Sequence, residues 1–350
     1  MTENRYAFLD AIRGLAAMFV VIRHTEIFWG VSFFRSYLAV DVFFLLSGFV
    51  IVHAYEKRLA SKMLSNAAFF KLRLIRLYPV FALSVFFAFI AFYMSQGSSY
   101  ISGLSVKDLF FLTIPVLFFL PSNYSGQCNN LYPVNTPYWS LLDEILVNVI
   151  YASIRTKLNT LILCCCISLS GLGLAIIALL NNRVDAGYQD CFSDWGGGFF
   201  RAMFGFFVGV ALYRFKDKFL FLAKNSIYPW MTLLLVSLVF TSPSIEGFDV
   251  YVDLILIGLL FPVLVIIAAQ GRSIKSEKLL LIMGSVSYPI YVFHIPLANM
   301  LTSVASYSIK KHSPISGFVF FAALIILSLV VEKIYDIPLR KYFSRRVVSR

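Results

Sequence analysis

Apolar runs that approach 20 residues recur along almost the whole of this 350-residue chain. A run of about 20 apolar residues is what an α-helix needs to cross the hydrocarbon core of a bilayer. Hydrophobic residues make up 59% of the sequence and charged residues only 14%, and a soluble domain of ordinary composition has no core that could bury so large an apolar share. The sequence therefore predicts an all-α, polytopic membrane helix bundle.

The apolar runs predict about ten transmembrane helices in a single domain. Their expected bounds are 8–28, 38–55, 78–95, 136–154, 159–180, 197–213, 227–241, 251–270, 279–302 and 316–335. A further apolar stretch at 109–120 is too short to cross and suits a re-entrant or interfacial segment. The domain is expected to cover 1–350, with its core at 8–340 and a basic cytoplasmic tail at 341–350.

Basic residues concentrate in the loops on one side of this predicted topology. If 109–120 does not cross, the basic loops near 57–76, 155–157, 214–224 and 272–278 share one side with the tail. The positive-inside rule then predicts that both termini are cytoplasmic. The net charge of +12 is expected to reflect these loops and their contact with membrane lipids, so no nucleic-acid partner is predicted.

Two of the five cysteines fall in predicted extracytoplasmic loops. Cys128 and Cys191 lie there, where an oxidising compartment permits a disulfide, although two unpaired cysteines are the simpler interpretation. Cys164, Cys165 and Cys166 are in the middle of a span with no histidine nearby in sequence, which favours packing. No metal site is predicted.

The first span carries three ionisable residues that fall on one helix face. Asp10, Arg13 and His24 project within an arc of about 60° at 100° per residue. Such residues are costly in a bilayer unless they face a partner or a wet cavity, so they are functional candidates. Arg13 and His24 are separated by roughly 16 Å along the helix, which suits a ligand with phosphates at one end and a reactive group on a long arm. A histidine bonded for packing is the alternative for His24.

Further polar residues in other spans are expected to approach this face. Asp41 falls at about the depth of His24 and is a candidate to orient its imidazole, as carboxylates do in acid–base sites. Trp139, Ser140 and Glu144 lie in the outer half of one predicted span, and His294 lies in the outer half of another. The sequence predicts that these groups converge on one outer cavity.

Two arginines are expected at the cytoplasmic surface. Arg73 and Arg76 are three residues apart, just before the helix-breaking Pro79, so both side chains can point to one side of a helical turn. The alternative for each arginine is an orientation signal or a contact with lipid headgroups.

Five segments, in order along the chain, carry a family resemblance. They are LDAIRGLAA at 9–17 with His24 downstream, VDVFFLLSGF at 40–49, RLIR at 73–76, NTPYWSLLDE at 135–144, and GSVSYPIYVFH at 284–294. In these segments the chain resembles the membrane-bound acyltransferase-3 family, whose bacterial members acylate cell-surface glycans. The resemblance extends from Leu9 to Arg340 and implies a location in the inner membrane of a bacterial cell.

The resemblance implies roles for residues at the matching positions. It implies that His24 is the essential base, that Arg13 assists it or the donor, and that Arg73 and Arg76 lie near the phosphates of acetyl-coenzyme A. That thioester would be a substrate, with no permanently bound cofactor. The supporting or substrate-binding residues would be Asp10, Ser47, Trp139, Ser140, Tyr288, His294 and Asp336. Asp336 replaces the family's usual glutamate in Asp-Ile-Pro-Leu-Arg, which keeps the charge and shortens its reach.

The expected function is O-acyl transfer across the membrane. Acetyl-coenzyme A would donate an acetyl group from the cytoplasm to a hydroxyl of an extracytoplasmic cell-surface glycan or lipid-linked saccharide. His24, oriented by Asp41 or Glu144, would act as a base or would itself carry the acyl group. The alternative is a proton-coupled transporter or flippase of a glycan precursor, because such carriers use the same intramembrane residue types.

Overall fold

The computed structural model describes residues 6–95, 105–122, 129–224, 227–271 and 277–348, and within them the secondary structure is helical apart from an isolated β-bridge. The α-helices are α1 (Ala7–His24), α2 (Glu26–Trp29), α3 (Ala39–Ala60), α4 (Asn66–Met94), α5 (Val106–Leu117), α6 (Tyr138–Ile154), α7 (Thr160–Asn181), α8 (Phe192–Phe215), α9 (Tyr228–Thr241), α10 (Asp249–Ile255), α11 (Phe261–Ala269), α12 (Glu277–Lys311), α13 (Ile315–Val331) and α14 (Ile337–Val348). Short π-helical turns at Leu256–Leu260 and Glu332–Asp336 join α10 to α11 and α13 to α14. The predicted all-α class is confirmed.

In the described part of the chain, seven helical segments are long and apolar enough to cross a membrane. They are Phe34–Ala60, Asn66–Met94, Thr160–Asn181, Ser193–Phe221, Asp249–Ala269, Glu277–Lys311 and Ile315–Val347. Three other predicted spans correspond to α1, which carries Asp10, Arg13 and Arg23, and to the shorter helices α6 and α9, of 17 and 14 residues. The chain is a multi-pass membrane protein, while the count of ten spans and the cytoplasmic termini stay predictions.

The short apolar stretch predicted at 109–120 corresponds to α5, a helix of 12 residues. At about 1.5 Å per residue such a helix is roughly 18 Å long, which is shorter than the hydrocarbon core of about 30 Å. Ser105 begins α5 with a capping box, in which its hydroxyl accepts from the Asp108 amide and the Asp108 carboxylate accepts from the Ser105 amide. An interfacial or re-entrant placement agrees with this length.

The prediction that Pro79 breaks a helix is wrong. Helix α4 begins at Asn66, where the Ser65 side chain accepts a hydrogen bond from the Ala68 amide, and it continues through Pro79 to Met94. Proline removes one backbone hydrogen bond and crowds the preceding turn, but packing of α4 against α12 keeps the helix continuous. Arg73 and Arg76 therefore lie in the body of α4, one turn apart.

Helices α3 and α8 approach each other backbone to backbone. A Cβ atom at Gly48 would lie 2.0 Å from the Phe206 carbonyl oxygen, and one at Gly209 would lie 2.2 Å from the Leu45 carbonyl oxygen. Small residues at helix contacts allow this close approach within a membrane, where association depends on packing. These glycines therefore fix how closely α8 lies against α3.

A buried ion pair joins the same two helices. Arg201 on α8 donates to both carboxylate oxygens of Asp41 on α3, at 3.0 and 2.7 Å, and to the backbone oxygens of Ala186 and Tyr37 at 2.7 and 3.2 Å. Both charged side chains are at most 1% exposed. The expectation that Asp41 orients His24 is wrong in this structure, because both Asp41 oxygens are occupied by Arg201.

A second buried arginine ties the segment before α3 to the α9–α10 region. Arg35 donates to Asp253 at 3.1 Å and also to Asp249 and to the Pro243 carbonyl oxygen, while the Tyr37 hydroxyl donates to Asp253. A guanidinium can satisfy several acceptors in one plane. This cluster joins the segment before α3 to α10 at the end of the bundle where α1 ends.

The cysteines agree in part with the sequence analysis. Cys191 is disulfide-bonded, whereas Cys164, Cys165 and Cys166 on α7 are free. Cys128, the expected partner of Cys191, lies outside the described residues.

Substitution of Gly209 by alanine is expected to destabilise the protein, because the new Cβ would collide with the backbone of α3. Overpacking of this kind costs about 1–3 kcal/mol. Thermal unfolding in detergent is expected to occur at a lower temperature for Gly209→Ala than for Gly258→Ala, since a Cβ at Gly258 meets no atom within 4 Å. Equal unfolding temperatures for the two variants would contradict this account of the α3–α8 contact.

Replacement of Asp41 by asparagine is expected to reduce stability, because it leaves the Arg201 charge buried without its counter-ion. The cost of breaking such a pair is on the order of 3 kcal/mol. Asp217→Asn is the control, since that carboxylate is 75% exposed in its pair with Lys216. If Asp41→Asn unfolded at the wild-type temperature and lost only turnover, Asp41 would be a residue of the reaction and not of the α3–α8 contact.

Candidate functional site

Helix α1 contributes residues to both ends of the candidate site and packs closely against α12. A Cβ atom at Gly284 would lie 2.4 Å from the Asp10 side chain, and one at Gly14 would lie 2.6 Å from Met283 Cβ. Farther along both helices, His24 meets His294. The two helices therefore run in the same direction, and their contact brings a histidine of each together at one end.

The two histidines form a hydrogen-bonded pair. His294 Nε2 lies 3.1 Å from His24 Nδ1, and His294 Nδ1 lies 2.7 Å from the Tyr291 carbonyl oxygen. A carbonyl oxygen only accepts, so we assign the proton of neutral His294 to Nδ1, which leaves its Nε2 as an acceptor. His24 then donates from Nδ1, and its own Nε2 is left as the proton-accepting atom.

His24 lines a cavity of about 380 Å³, here called the histidine cavity. Its wall is formed by the end of α1, the start of α3 and the segments before α6 and α8. The lining residues that carry polar side-chain groups are Arg23, His24, Glu26, Ser36, Tyr37, Asn130, Thr136, Trp139, Asp185, Tyr188 and Tyr291. Arg23 donates to Asp185 at 2.7 Å and lies over the Tyr37 ring at 5.1 Å. These polar groups and aromatic rings around a base suit a ligand with several hydroxyl groups.

A second cavity, of about 170 Å³, lies toward the other end of α1 and is called the arginine cavity. Arg13, Arg73, Arg76 and Glu144 line it. Apolar side chains of α3, together with Leu77 and Leu141, form much of the remaining wall. The cavity therefore combines positive charge with an apolar lining.

Carboxylates partner the arginines of this cavity. Arg73 pairs with Glu144 at 2.7 Å and Arg13 pairs with Asp10 at 3.3 Å. Asp336 lies 3.6 Å from Arg76 and 2.8 Å from Arg340. Four guanidinium groups thus face three carboxylates.

Two of these guanidinium groups each contain a buried N–H group that lacks a hydrogen-bond acceptor in the described part of the chain. The buried Nε atoms of Arg73 and Arg340 have no hydrogen-bond acceptor among the described residues. Arg73 lines the arginine cavity, where a guanidinium group suits phosphate oxygens. Arg340 is outside the cavity lining and is linked to Arg76 through Asp336. The sequence analysis did not single out Arg340, although its position four residues after Asp336 places both on one face of a helix.

Two residues line both cavities, Val40 on α3 and Tyr291 on α12. The Tyr291 hydroxyl lies 2.6 Å from Ser140 Oγ and donates to the Pro137 carbonyl oxygen at 3.0 Å. The ring of Tyr291 also packs edge-on against Phe43. These contacts hold Tyr291 as a fixed part of the partition between the cavities, a residue that the sequence analysis passed over although it belongs to the last motif.

The predicted site residues divide between the two cavities. His24 and Trp139 line the histidine cavity, where His294 contacts His24. The arginine cavity is lined by Arg13, Ser47, Arg73, Arg76, Ser140, Glu144 and Tyr288. Asp10 and Asp336 contact arginines of that cavity, while Asp41 contacts Arg201.

The expectation that Glu144 and Ser140 meet His24 in one outer cavity is corrected by this division. Glu144 follows Trp139 by five residues on α6, about 7.5 Å along the helix axis, which brings it within reach of Arg73 and of the Ser47 hydroxyl at 2.9 Å. Ser140 faces Tyr291 from the arginine-cavity side of the partition. The group that contacts His24 is His294.

Comparison with known proteins identifies the family of the chain. The chain matches the acyltransferase domain over residues 6–332. A protein of Rhizobium radiobacter described as protein 2 in picA locus is 40% identical over 156 residues, which are 43% of this chain and 82% of that protein. No solved structure matches the chain. The chain belongs to the membrane-bound acyltransferase-3 family.

Proposed function

We propose that this acyltransferase moves an acetyl group from cytoplasmic acetyl-coenzyme A to a hydroxyl of an extracytoplasmic glycan or lipid-linked saccharide. The observation that carries the proposal is the pair of cavities along α1, one lined by arginines and the other by a histidine base, with a shared partition. A donor with phosphates at one end and a thioester at the other would place its phosphates near the arginines of the first cavity and extend its thioester toward the second.

The arginine cavity would hold the donor. Arg13, Arg73 and Arg76 line it, and Arg340 extends the positive charge through its pair with Asp336. Phosphate groups would take up the spare guanidinium donors and weaken the pairs with Glu144 and Asp336. In the predicted topology this end faces the cytoplasm of a bacterial cell, where acetyl-coenzyme A is available.

The histidine cavity would hold the acceptor. A sugar hydroxyl at His24 would lose its proton to Nε2 as its oxygen attacks the thioester carbonyl carbon. The carbon–sulfur bond then breaks, and the departing thiolate takes the proton from His24, which leaves an ester and free coenzyme A. His294 accepts from His24 Nδ1 throughout and so supports the imidazolium that forms.

A covalent route uses the same atoms in another order. His24 Nε2 would attack the thioester carbonyl carbon first, the carbon–sulfur bond would break, and coenzyme A would depart as the thiolate. The sugar hydroxyl would then take the acetyl group from the imidazole, and its proton would pass to the thiolate, which leaves an ester and free coenzyme A. Both routes need the unprotonated Nε2 that the contact with His294 provides. Transport of a glycan precursor would need a base only for proton coupling and gives no role to the arginine cavity as a donor site.

Replacement of His24 by alanine is expected to abolish acyl transfer, since it removes the proton acceptor. Mass spectrometry of surface glycans would compare cells that carry the intact gene, a deletion, His24→Ala, or the control His312→Ala, which alters an exposed histidine at the far end of α12. We expect one acyl mass to disappear in the deletion and in His24→Ala, and to remain in His312→Ala.

The same experiment separates acyl transfer from transport. An unchanged acyl pattern in both the deletion and His24→Ala, with a glycan precursor accumulating on the cytoplasmic side, would favour the transporter. Full acylation by a folded His24→Ala protein would remove His24 from the reaction.

Replacement of His294 is expected to lower turnover and leave donor affinity unchanged, because His294 acts through His24 and lies outside the arginine cavity. His294→Ala removes the acceptor for His24 Nδ1, whereas His294→Gln offers an amide oxygen in its place. We expect a loss of about 100-fold in kcat for alanine, within the range of general acid–base effects, and partial recovery for glutamine. The measurement is the rate of acetyl transfer in membranes at saturating acetyl-coenzyme A, together with its KM.

A purely structural role for His294 would give a different pattern. In that case alanine and glutamine would lower the amount of folded protein, and the kcat per folded molecule would stay at the wild-type value in both variants.

A further inference from the structure

Two residues form the boundary that the two cavities share, and they differ in how firmly each side chain is held. Only Val40 and Tyr291, among the described residues that line the cavities, belong to both walls. A thioester that extends from one cavity to His24 in the other would pass the boundary that these two residues share. The side chains of Val40 and Tyr291 are therefore the candidates to limit what passes.

The Tyr291 side of the partition is fixed. Its hydroxyl is held by Ser140 Oγ and the Pro137 carbonyl oxygen, and its ring packs against Phe43. A residue with this many restraints has little freedom to move aside, and displacing its hydroxyl would leave buried polar groups unpaired.

The Val40 side carries no such restraint and differs in chemistry. Val40 contributes two methyl groups to the lining that it shares with Tyr291, and it directly precedes Asp41, whose pair with Arg201 holds this part of α3 in place. A β-branched side chain on a helix has one strongly preferred χ1 rotamer, so the methyl groups present a nearly constant width to the passage.

We propose that Val40 selects the acyl group by its cross-section, with Tyr291 as the fixed opposing wall. This inference rests on the proposed function. A linear acetyl thioester on its narrow arm passes between the two residues, while an acyl group branched next to the carbonyl collides with the Val40 methyl groups. Chain length is not selected at this point, because the histidine cavity beyond the partition is the larger of the two.

The test is acyl selectivity in the variants Val40→Ala and Val50→Ala. Both remove the same atoms from α3, but Val50 lines the arginine cavity alone. Membranes that contain the acceptor glycan would receive radiolabelled acetyl- or isobutyryl-coenzyme A, and the ratio of the two transfer rates would be measured. We expect this ratio to shift toward isobutyryl by about 10-fold or more in Val40→Ala, the scale of discrimination by small apolar groups in a pocket, and to stay at the wild-type value in Val50→Ala.

A second variant tests the proposal by enlarging the side chain at position 40 instead of shortening it. Val40→Phe is expected to lose acetyl transfer while the purified protein still binds radiolabelled coenzyme A, because Arg13, Arg73 and Arg76, which would hold its phosphates, are unchanged. Loss of binding together with transfer would show that Val40 shapes the donor site instead and would overturn the proposal.

The outcomes separate this inference from the proposed function. If the wild-type protein transfers acetyl and Val40→Ala keeps the wild-type selectivity, or if Val50→Ala shifts it equally, Val40 is not the selecting residue. If the wild-type protein transfers no acyl group from either thioester, the proposed function itself is wrong and the inference fails with it.

Discussion

The close contact between α1 and α12 is the constraint on which the site depends. The Asp10 side chain lies so close to Gly284 that a Cβ atom at Gly284 would collide with it, and a Cβ atom at Gly14 would collide with Met283 in the same way. Because the two helices run in the same direction, this contact brings His24 and His294 within hydrogen-bond distance at the other end. In a bilayer such packing replaces the hydrophobic effect as the force that joins helices, so the glycines determine where the base lies.

Hydropathy predicted most of the fold because membrane-spanning helices are set by length and apolar content. It missed the extent of α4, since the effect of Pro79 depends on packing against α12 and not on the local sequence. Helix α1 was predicted as a span in spite of its three charged groups, Asp10, Arg13 and Arg23, and it contributes residues to both cavities. Two of these charged residues, Arg13 and Arg23, line the cavities.

Most of the predicted site residues line one of the two cavities, but several of their expected pairings differ in the structure. The helical rise gives the depth of Asp41 and Glu144, but it does not give the direction in which a neighbouring helix presents them. Arg201, on a helix 160 residues away in sequence, takes both oxygens of Asp41. Glu144 likewise pairs with Arg73, because a carboxylate in an apolar environment is stabilised by a nearby guanidinium group. Ion pairs between residues so far apart in sequence produce no local sequence pattern from which they could be predicted.

A histidine as the partner of the base has a physical consequence in this setting. A carboxylate beside His24 would add a charge to the membrane interior, where charged groups are costly, whereas neutral His294 accepts the same hydrogen bond without one. The arginine cavity, in contrast, balances most of its positive charge with carboxylates. The protein thus concentrates guanidinium groups in the arginine cavity and gives His24 an uncharged hydrogen-bond partner, although Arg23, Glu26 and Asp185 also line the histidine cavity.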